Sequence, residues 1–301
     1  TNPAEFASPP VVEQFFVNYF RVSFRPPEGI EVVADYRAAE SHAVAGRFTV
    51  VNVSDRGRTV RLGLSAILRP DENPQPMAES KVNEVTVLEG HTANLHPVVF
   101  VEGGAYTAPG PHPSLYRDLE LAPGEWRSVS WGHAGLKDAP SSMELARQVA
   151  TSNWEGEIAR LELVNASLPE IHTGDPDWDA AFALTLKVAV QSFVGPTDHL
   201  PHPSFIFTRL PDRGWSRKGD GSDYDWQWAG QVATEALVAL PQIVGVAPEL
   251  AKGVIRNWLA VQSPEGFIDW KPGLAGQRNR ALCLPVLASL AWMIYEHTED
   301  L

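Results

Sequence analysis

The hydrophobic pattern changes period once along the chain. In the first half, apolar residues fall in short, partly alternating runs: Val11–Phe24, Ile30–Tyr36, His42–Val53, Thr59–Leu68, Asn83–Leu88, Val98–Val101 and Ile158–Val164. Alternation at period two is the mark of strands that bury one face. Turn-forming segments separate several of the runs: Arg-Pro-Pro-Glu-Gly at 25–29, Ser-Asp-Arg-Gly at 54–57, Arg-Pro-Asp-Glu-Asn-Pro at 69–74 and Ala-Pro-Gly-Glu at 122–125. Many strands without alternating helices predict an antiparallel β-sandwich, with one short helix over Ser142–Ser152.

The second half reads as helical. Asp175-Pro-Asp-Trp-Asp places proline early and acids at the positive end of a helix that runs to about Phe193. Further helices are predicted over Trp226–Leu240, ended by Pro241, over Pro248–Val261, and over Arg280–Thr298. The change of pattern falls between Asn165 and Gly174 and predicts a multidomain chain, with a β domain at 1–170 and an α domain at 171–301.

Composition narrows the function classes. The chain has 301 residues and, with 37 acidic against 24 basic side chains, a formal charge of −13. That balance argues against nucleic acid, which needs basic patches to displace counterions, and against anionic membrane surfaces. No apolar run is long enough to span a bilayer. The N-terminus carries neither a basic nor an apolar leader segment and does not begin with methionine. The single cysteine, Cys283, lies in an apolar run, so neither an internal disulfide nor a cysteine zinc site is available. A reducing cytoplasm is the expected compartment.

The candidate chemistry is concentrated between residues 208 and 231. The segment Thr208-Arg209-Leu-Pro-Asp212-Arg213-Gly-Trp215-Ser-Arg217-Lys-Gly-Asp220-Gly-Ser-Asp223-Tyr224-Asp225-Trp226-Gln227-Trp228-Ala229-Gly230-Gln231 leads from a loop toward a helix. Aromatic faces stack on sugar C–H surfaces, and carboxylates and guanidinium groups hydrogen-bond hydroxyls. The mixture suits a carbohydrate ligand. The same residues also fit structural roles: Asp-Gly-Ser-Asp is good turn chemistry, and Trp226 and Trp228 suit a buried helix face. Asp225 sits where a helix cap is expected, which favours its ionised form; Asp223 and Asp220 share that bias. These carboxylates suit holding hydroxyls or acting as a base. Glu235, within the next helix, is read either as lying on the Trp228 face or as a solvated surface residue.

A second cluster, Glu265-Gly-Phe-Ile-Asp269-Trp270-Lys271-Pro-Gly-Leu-Ala-Gly-Gln277-Arg278, repeats the composition of the first. Loops at one end of a helical bundle converge, so the two clusters can line one pocket; Trp270 packed on helix ends with Lys271 solvated is the alternative. Asp220, Asp223 and Asp225 also allow a calcium loop, but no EF-hand pattern is present, and the expectation is a site without metal or cofactor. His199 and His202 share a loop without a third ligand nearby, which argues against zinc. Neither a Gly-x-Ser-x-Gly elbow nor a phosphate loop occurs.

With these segments in place the chain resembles glycoside hydrolases built on an (α/α)6 toroid, a group that includes processing α-glucosidases, trehalases and glucoamylases. The nearest resemblance is to family sixty-three. It rests on Asp212-Arg213-Gly-Trp215 through Gln231, on Gly266-Phe-Ile-Asp269-Trp270-Lys271, and on the Gln277 to Glu296 stretch with Pro285, Trp292 and Tyr295. It implies an inverting α-glucosidase-like hydrolase acting on an oligosaccharide or glucoside without a cofactor. Asp225 and Asp223 would be its pocket carboxylates. Arg209, Asp212, Arg213, Trp215, Trp226, Trp228 and Gln231 would shape the sugar site opposite Asp269, Trp270, Lys271 and Gln277. Two departures stand out. The family's general acid is commonly an Asp directly after a Trp, but Ala229 follows Trp228 here, which leaves open a non-catalytic carbohydrate-binding protein. Four long helices also fall short of a toroid. The resemblance therefore implies an incomplete ring, with the general base beyond Leu301 and the remainder supplied by a C-terminal continuation or a second chain.

Overall fold

A computed structural model describes residues 6–26, 29–40, 42–68, 75–91, 95–196, 199–205, 231–273, 276–277, 282–283 and 285–300. The chain divides into two compact units, Thr1–Glu162 and Leu163–Leu301.

The first unit contains β1 (Ser8–Phe16), β2 (Tyr19–Arg25), β3 (Ile30–Glu40), β4 (Ala43–Asn52), β5 (Arg58–Ser65), β6 (Ile67–Leu68), β7 (Gln75–Pro76), β8 (Ala78–Val82), β9 (Val85–Glu89), β10 (His96–Val101), β11 (Tyr106–Thr107), β12 (Ser114–Leu121) and β13 (Trp126–Leu136). Helices α1 (Ala139–Ala150) and α2 (Trp154–Ala166) follow, the last turn of α2 lying past Glu162. Eight strands form an antiparallel sheet in the order β1-β2-β3-β4-β13-β10-β9-β8, and β11-β12-β5 form a second sheet. Alternation sorts the side chains to two cores. Ala43, Ala45, Val98, Phe100 and Ala134 share a core with Met143, Ala146 and Val149 of α1 and Trp154 of α2. Val50, Val99, Val101 and Val129 face the other way and meet Leu115, Leu119 and Leu121 of the smaller sheet.

Two glycines set the spacing of these layers. A Cβ on Gly132 would lie 2.0 Å from the Ala146 carbonyl oxygen, so α1 rests directly on the β13 backbone. A Cβ on Gly46 would lie 2.3 Å from the Trp131 indole, which crosses β4 at that point. Gly132→Ala is expected to push α1 off the sheet at a cost of about 1–3 kcal/mol, the usual range for overpacking. A thermal melt checks this; an unchanged midpoint would mean the layers separate freely.

Several local expectations change. Val11–Phe24 is two strands, turned at Val17-Asn18 with Asn18 left-handed (φ 63°). Asn83 and Glu84 form a two-residue turn with both φ positive, the geometry that joins twisted antiparallel strands, so the strand starts at Val85. Ile158–Val164 lies in α2 rather than in a strand. That helix buries only Trp154 and Leu161, one residue every two turns, too thin a stripe to impose a helical period. The missed strands β12 and β13 carry Arg117, Ser128, Ser130 and Gly132 among their apolar positions, which lowers their apparent hydrophobicity.

The second unit contains α3 (Pro176–Gln191), β14 (Phe193–Val194), β15 (Ser204–Phe205), α4 (Ala233–Ile243), α5 (Pro248–Ala260), β16 (Pro272–Gly273), β17 (Gly276–Gln277) and α6 (Val286–Thr298). Asp175 caps α3 by accepting from the Asp177 and Trp178 amides, with Pro176 next to it as expected. The core joins Ala236, Leu240, Val254, Trp258, Leu290 and Ile294 from α4, α5 and α6. Helix α4 begins seven residues after the expected start, and Pro241 lies within it rather than ending it; burial of Leu240, Ile243 and Val244 holds the last turn in place. Helix α6 begins at Val286, not Arg280. Before it, Leu282 is bridged to Asp269 and the Cys283 amide donates to the Ile268 carbonyl at 2.7 Å. Pro285 caps the helix, as expected where proline disfavours helical conformation before it.

Candidate functional site

Arg209, Asp212, Arg213, Trp215, Asp220, Asp223, Asp225, Trp226, Trp228 and Ala229 lie outside the described residues. The two ends of the segment that carries them are described. It leaves from Ser204 and Phe205 in β15 and returns at Gln231, all three buried. The Ser204 hydroxyl donates to Gln231 Oε1 at 2.8 Å, so the first cluster departs from and returns to one point of the fold.

A buried amide network holds that point. Gln231 Nε2 donates to the Val254 carbonyl in α5 at 2.7 Å. Asn257, one turn further along α5, donates from Nδ2 to the His202 carbonyl at 3.0 Å, to the Pro203 carbonyl at 3.2 Å and to Gln231 Oε1 at 3.3 Å. Asn257 Oδ1 accepts from the His202 amide at 3.0 Å. Gln231 was expected at the sugar; its amide group is bonded to β15, α5 and Asn257. Sequence reasoning missed Asn257 and Ser204. The available signal was an asparagine within an apolar helix, where its side chain competes with the backbone unless it has a tertiary partner.

The second cluster is fastened to the same point. The Gln231 amide donates to the Pro272 carbonyl at 3.1 Å and the Ala233 amide to the Trp270 carbonyl at 3.3 Å. The return end of the first cluster is thus bonded to the middle of the second. Asp269 is fully buried, and its Oδ1 accepts from the Lys271 amide at 3.0 Å, a local turn that shapes its own loop. Gln277 is described in its backbone only, in β17 opposite Pro272. Trp270 is half-buried. Lys271 is buried rather than solvated, at 3% exposure.

Burial sets the electrostatics here. It pulls the Lys271 ammonium down to about 8, against the attraction of Glu235. It also pushes the Glu235 carboxyl up, although Lys271 opposes the shift. Burial raises the Cys283 thiol too, helped by the charge of Asp269. Perturbed groups of this kind gather at functional sites more often than elsewhere. Among the described residues, no group of three or more His, Cys, Asp or Glu side chains is arranged to hold a metal ion.

The fold can now be compared with known proteins. It is shared with a solved structure. The structure named "Putative kojibiose phosphorylase from human microbiome" aligns with a TM-score of 0.59 and 11% identity, over 94% of this chain and 42% of its own. A bacterial glucoamylase complexed with acarbose aligns with a TM-score of 0.47 and 9% identity, over 97% of this chain and 47% of its own. A family 92 alpha-mannosidase from Bacteroides thetaiotaomicron aligns at 0.39 and 11%, over 92% and 39%. The chain thus spans less than half the length of each. No protein-family model matches it, and no curated protein does. The first alignment covers both the β-sheet unit and the helical unit, so their order along the chain is shared with that structure. None of these likenesses supports family sixty-three in particular.

Proposed function

We propose that this chain belongs to an enzyme that cleaves glycosidic bonds, with the sugar held between the 208–231 and 265–277 loops. The observation that carries this reading is the joining of the two loops at their bases by Gln231 and Ala233. Two segments of the same unusual composition, distant in sequence, depart from one buried anchor. The finer reading is an inverting α-glucosidase-like hydrolase with no cofactor. Asp225 and Asp223 would be its pocket carboxylates, and Arg209, Asp212, Arg213, Trp215, Trp226 and Trp228 its sugar contacts, facing Asp269, Trp270, Lys271 and Gln277.

The helices support a larger assembly. Trp178, Phe182, Leu184 and Val188 of α3 and Trp292 of α6 are all more than 40% exposed in the described structure. Exposed large apolar side chains on two helices suit an interaction surface. Further helices, from a C-terminal continuation or a second chain, would cover them and supply a general base. Among the described residues no helix is long and apolar enough to cross a membrane. The placement of Ala229 after Trp228 favours a second reading, a carbohydrate-binding chain without turnover.

A thermal-shift panel of mono- and disaccharides tests the proposal. At a hundredfold excess over Kd, a ligand that binds only the folded state adds about 2.7 kcal/mol. One sugar should stabilise the chain, and Asp225→Asn and Trp226→Ala should each abolish that shift. Shifts unaffected by both substitutions would move the site elsewhere, and no shift with any sugar would count against a carbohydrate ligand. Product release with and without inorganic phosphate separates hydrolysis from phosphorolysis, and binding without either favours the second reading.

A further inference from the structure

The smaller sheet of the β unit has an outer face. Leu62, Leu64, Leu115 and Leu119 turn toward the core between the two sheets, so period two sends their neighbours outward. The register sets Thr59 of β5 opposite Glu120 of β12, Arg61 opposite Asp118 and Gly63 opposite Tyr116. Tyr106 of β11 lies opposite Tyr116 on the other side. Residues directly opposite one another share a face. Three adjacent strands thus bring two tyrosines, an arginine and an aspartate together on one outer face.

The tyrosine ring centres are 6.0 Å apart, with the planes inclined at 35°. A Cβ on Gly63 would fall 2.9 Å from Tyr116 Cε1, so the Tyr116 ring occupies the space above β5 that glycine leaves. Asp118 Oδ1 accepts from Arg61 Nε at 2.9 Å, and Asp118 Oδ2 accepts from Tyr106 Oη at 2.8 Å. The Arg61 guanidinium lies 5.8 Å from the Tyr106 ring centre and 6.0 Å from that of Tyr116. These groups remain open to solvent: Tyr106 is 38% exposed, and the Arg61 and Asp118 side chains are 60% and 39% exposed. A guanidinium has more N–H donors, and a carboxylate more lone pairs, than this pairing uses, so both can bond a ligand without separating. Arg61 and then Tyr106 hold the Asp118 carboxyl below the usual carboxylate range, which keeps it an acceptor. The next outward pair, Thr59 and Glu120, leads into an open cleft of about 590 Å³ that Arg58, Glu125 and Arg127 also line. From Gly63 to Gly57 in the cleft, the row is about 20 Å long at about 3.3 Å per residue.

We propose that this face is a saccharide-binding platform that holds a neutral polysaccharide along β5 and β12, with one end of the bound segment in the cleft. Each tyrosine offers a rigid ring for the C–H face of a sugar and a polar tip at its edge. Arg61 offers donors and Asp118 acceptors to neighbouring hydroxyls, and their charges cancel, which fits an uncharged ligand. A polyproline segment also docks on aromatic rings, but proline has no N–H to give, so Asp118 would find no donor in it. The row is longer than a disaccharide, so longer saccharides should bind more tightly. The platform lies within the β-sheet unit and does not require the 208–231 and 265–277 loops to bind sugar.

Native affinity electrophoresis of the full chain, through gels containing starch, xylan, β-glucan or mannan, tests the platform. At least one polysaccharide should retard the wild type. Tyr106→Ala and Tyr116→Ala should each weaken that binding about tenfold, the scale of one aromatic stacking contact, while Tyr116→Phe, which keeps the ring, should retain most of it. Gly63→Val lifts the Tyr116 ring and should weaken binding with both tyrosines present. Circular dichroism checks that each variant is folded; should one tyrosine variant fail, the other and Gly63→Val decide. No retention by any polysaccharide overturns the proposal. So does retention that Asp225→Asn and Trp226→Ala abolish and the tyrosine substitutions leave intact, since it belongs to the loops. Binding of a proline-rich peptide in place of every polysaccharide overturns it as well. A wild type retarded by polysaccharide through its tyrosines but unshifted by mono- and disaccharides would count against the loop site alone and uphold the platform.

Discussion

Gln231→Ala is expected to destabilise the helical unit by about 2–4 kcal/mol, because it leaves several buried groups without partners. Three hydrogen bonds disappear together: from the Ser204 hydroxyl at 2.8 Å, from Asn257 at 3.3 Å, and to the Val254 carbonyl at 2.7 Å. Losing one ordinary hydrogen bond costs about 1 kcal/mol, but a buried group left unsatisfied costs about 1–3 kcal/mol. The contributions will not add in full, since Asn257 keeps its bonds to His202 and Pro203 and relaxation recovers part of the loss. Ser204→Ala removes one donor from the same network and should cost closer to 1 kcal/mol. Urea denaturation of the three proteins measures both values. The functional consequence is separate: the first loop loses the clamp between its ends, so sugar affinity should fall in Gln231→Ala even at temperatures where the unit remains folded. An unfolding free energy within about 0.5 kcal/mol of wild type, the scatter of ordinary surface substitutions, would show that water replaces the amide and that the clamp does not organise the loop.

How much of this was legible beforehand depended on how far local chemistry decided the outcome. The division into a β half and an α half was visible because period two and period 3.6 leave different marks on a sequence. The start of α3 was legible because proline and a capping aspartate act within one turn. The limits of α4 were not, because they depend on partners far along the chain: the start is delayed while Gln231 and Ala233 bond to Pro272 and Trp270, and tertiary burial carries the helix past Pro241. Strand β13 was hidden because Gly132 and Ala134 are chosen to admit α1 rather than to bury area. Within the candidate site, composition marked both loops but could not divide anchor from contact. Gln231 and Lys271 carry the polar groups of a sugar site, yet Gln231 is held by the scaffold and Lys271 is buried. Glu235 had no local signal to separate it from a solvated helix residue; only the approach of the second loop does so.

The β-sheet unit carries its own strong polar constraint, and Asp35→Ala is expected to cost it about 3–5 kcal/mol, the range for breaking a buried ion pair from one side. The strand register explains the size of the effect. Arg21 of β2 lies directly opposite Asp35 of β3, and Asp35 lies directly opposite Arg47 of β4, so a carboxylate stands between two cations across three strands. Asp35 is 1% exposed and accepts from Tyr19 Oη at 2.7 Å, Arg21 Nε at 2.8 Å and Arg47 Nη2 at 3.1 Å. Helix α2 covers the row: Arg47 also meets Glu155 at 2.6 Å, and the guanidinium groups of Arg37 and Arg47 lie 5.0 and 5.1 Å from the Trp154 ring. Removing the carboxylate leaves two partly buried guanidinium groups and a phenol facing one another without their shared acceptor. By contrast, Arg25→Ala breaks only the more exposed contact with Glu31, where a salt bridge is worth about 1 kcal/mol or less. Denaturant melting compares a buried carboxylate shared by two arginines and a tyrosine with a single more exposed pair on the same strands β2 and β3. If the two cost the same, water must reach Asp35 readily and the cover provided by α2 and Trp154 must open. If Asp35→Ala costs several times more, the buried carboxylate and its three partners hold the three strands together.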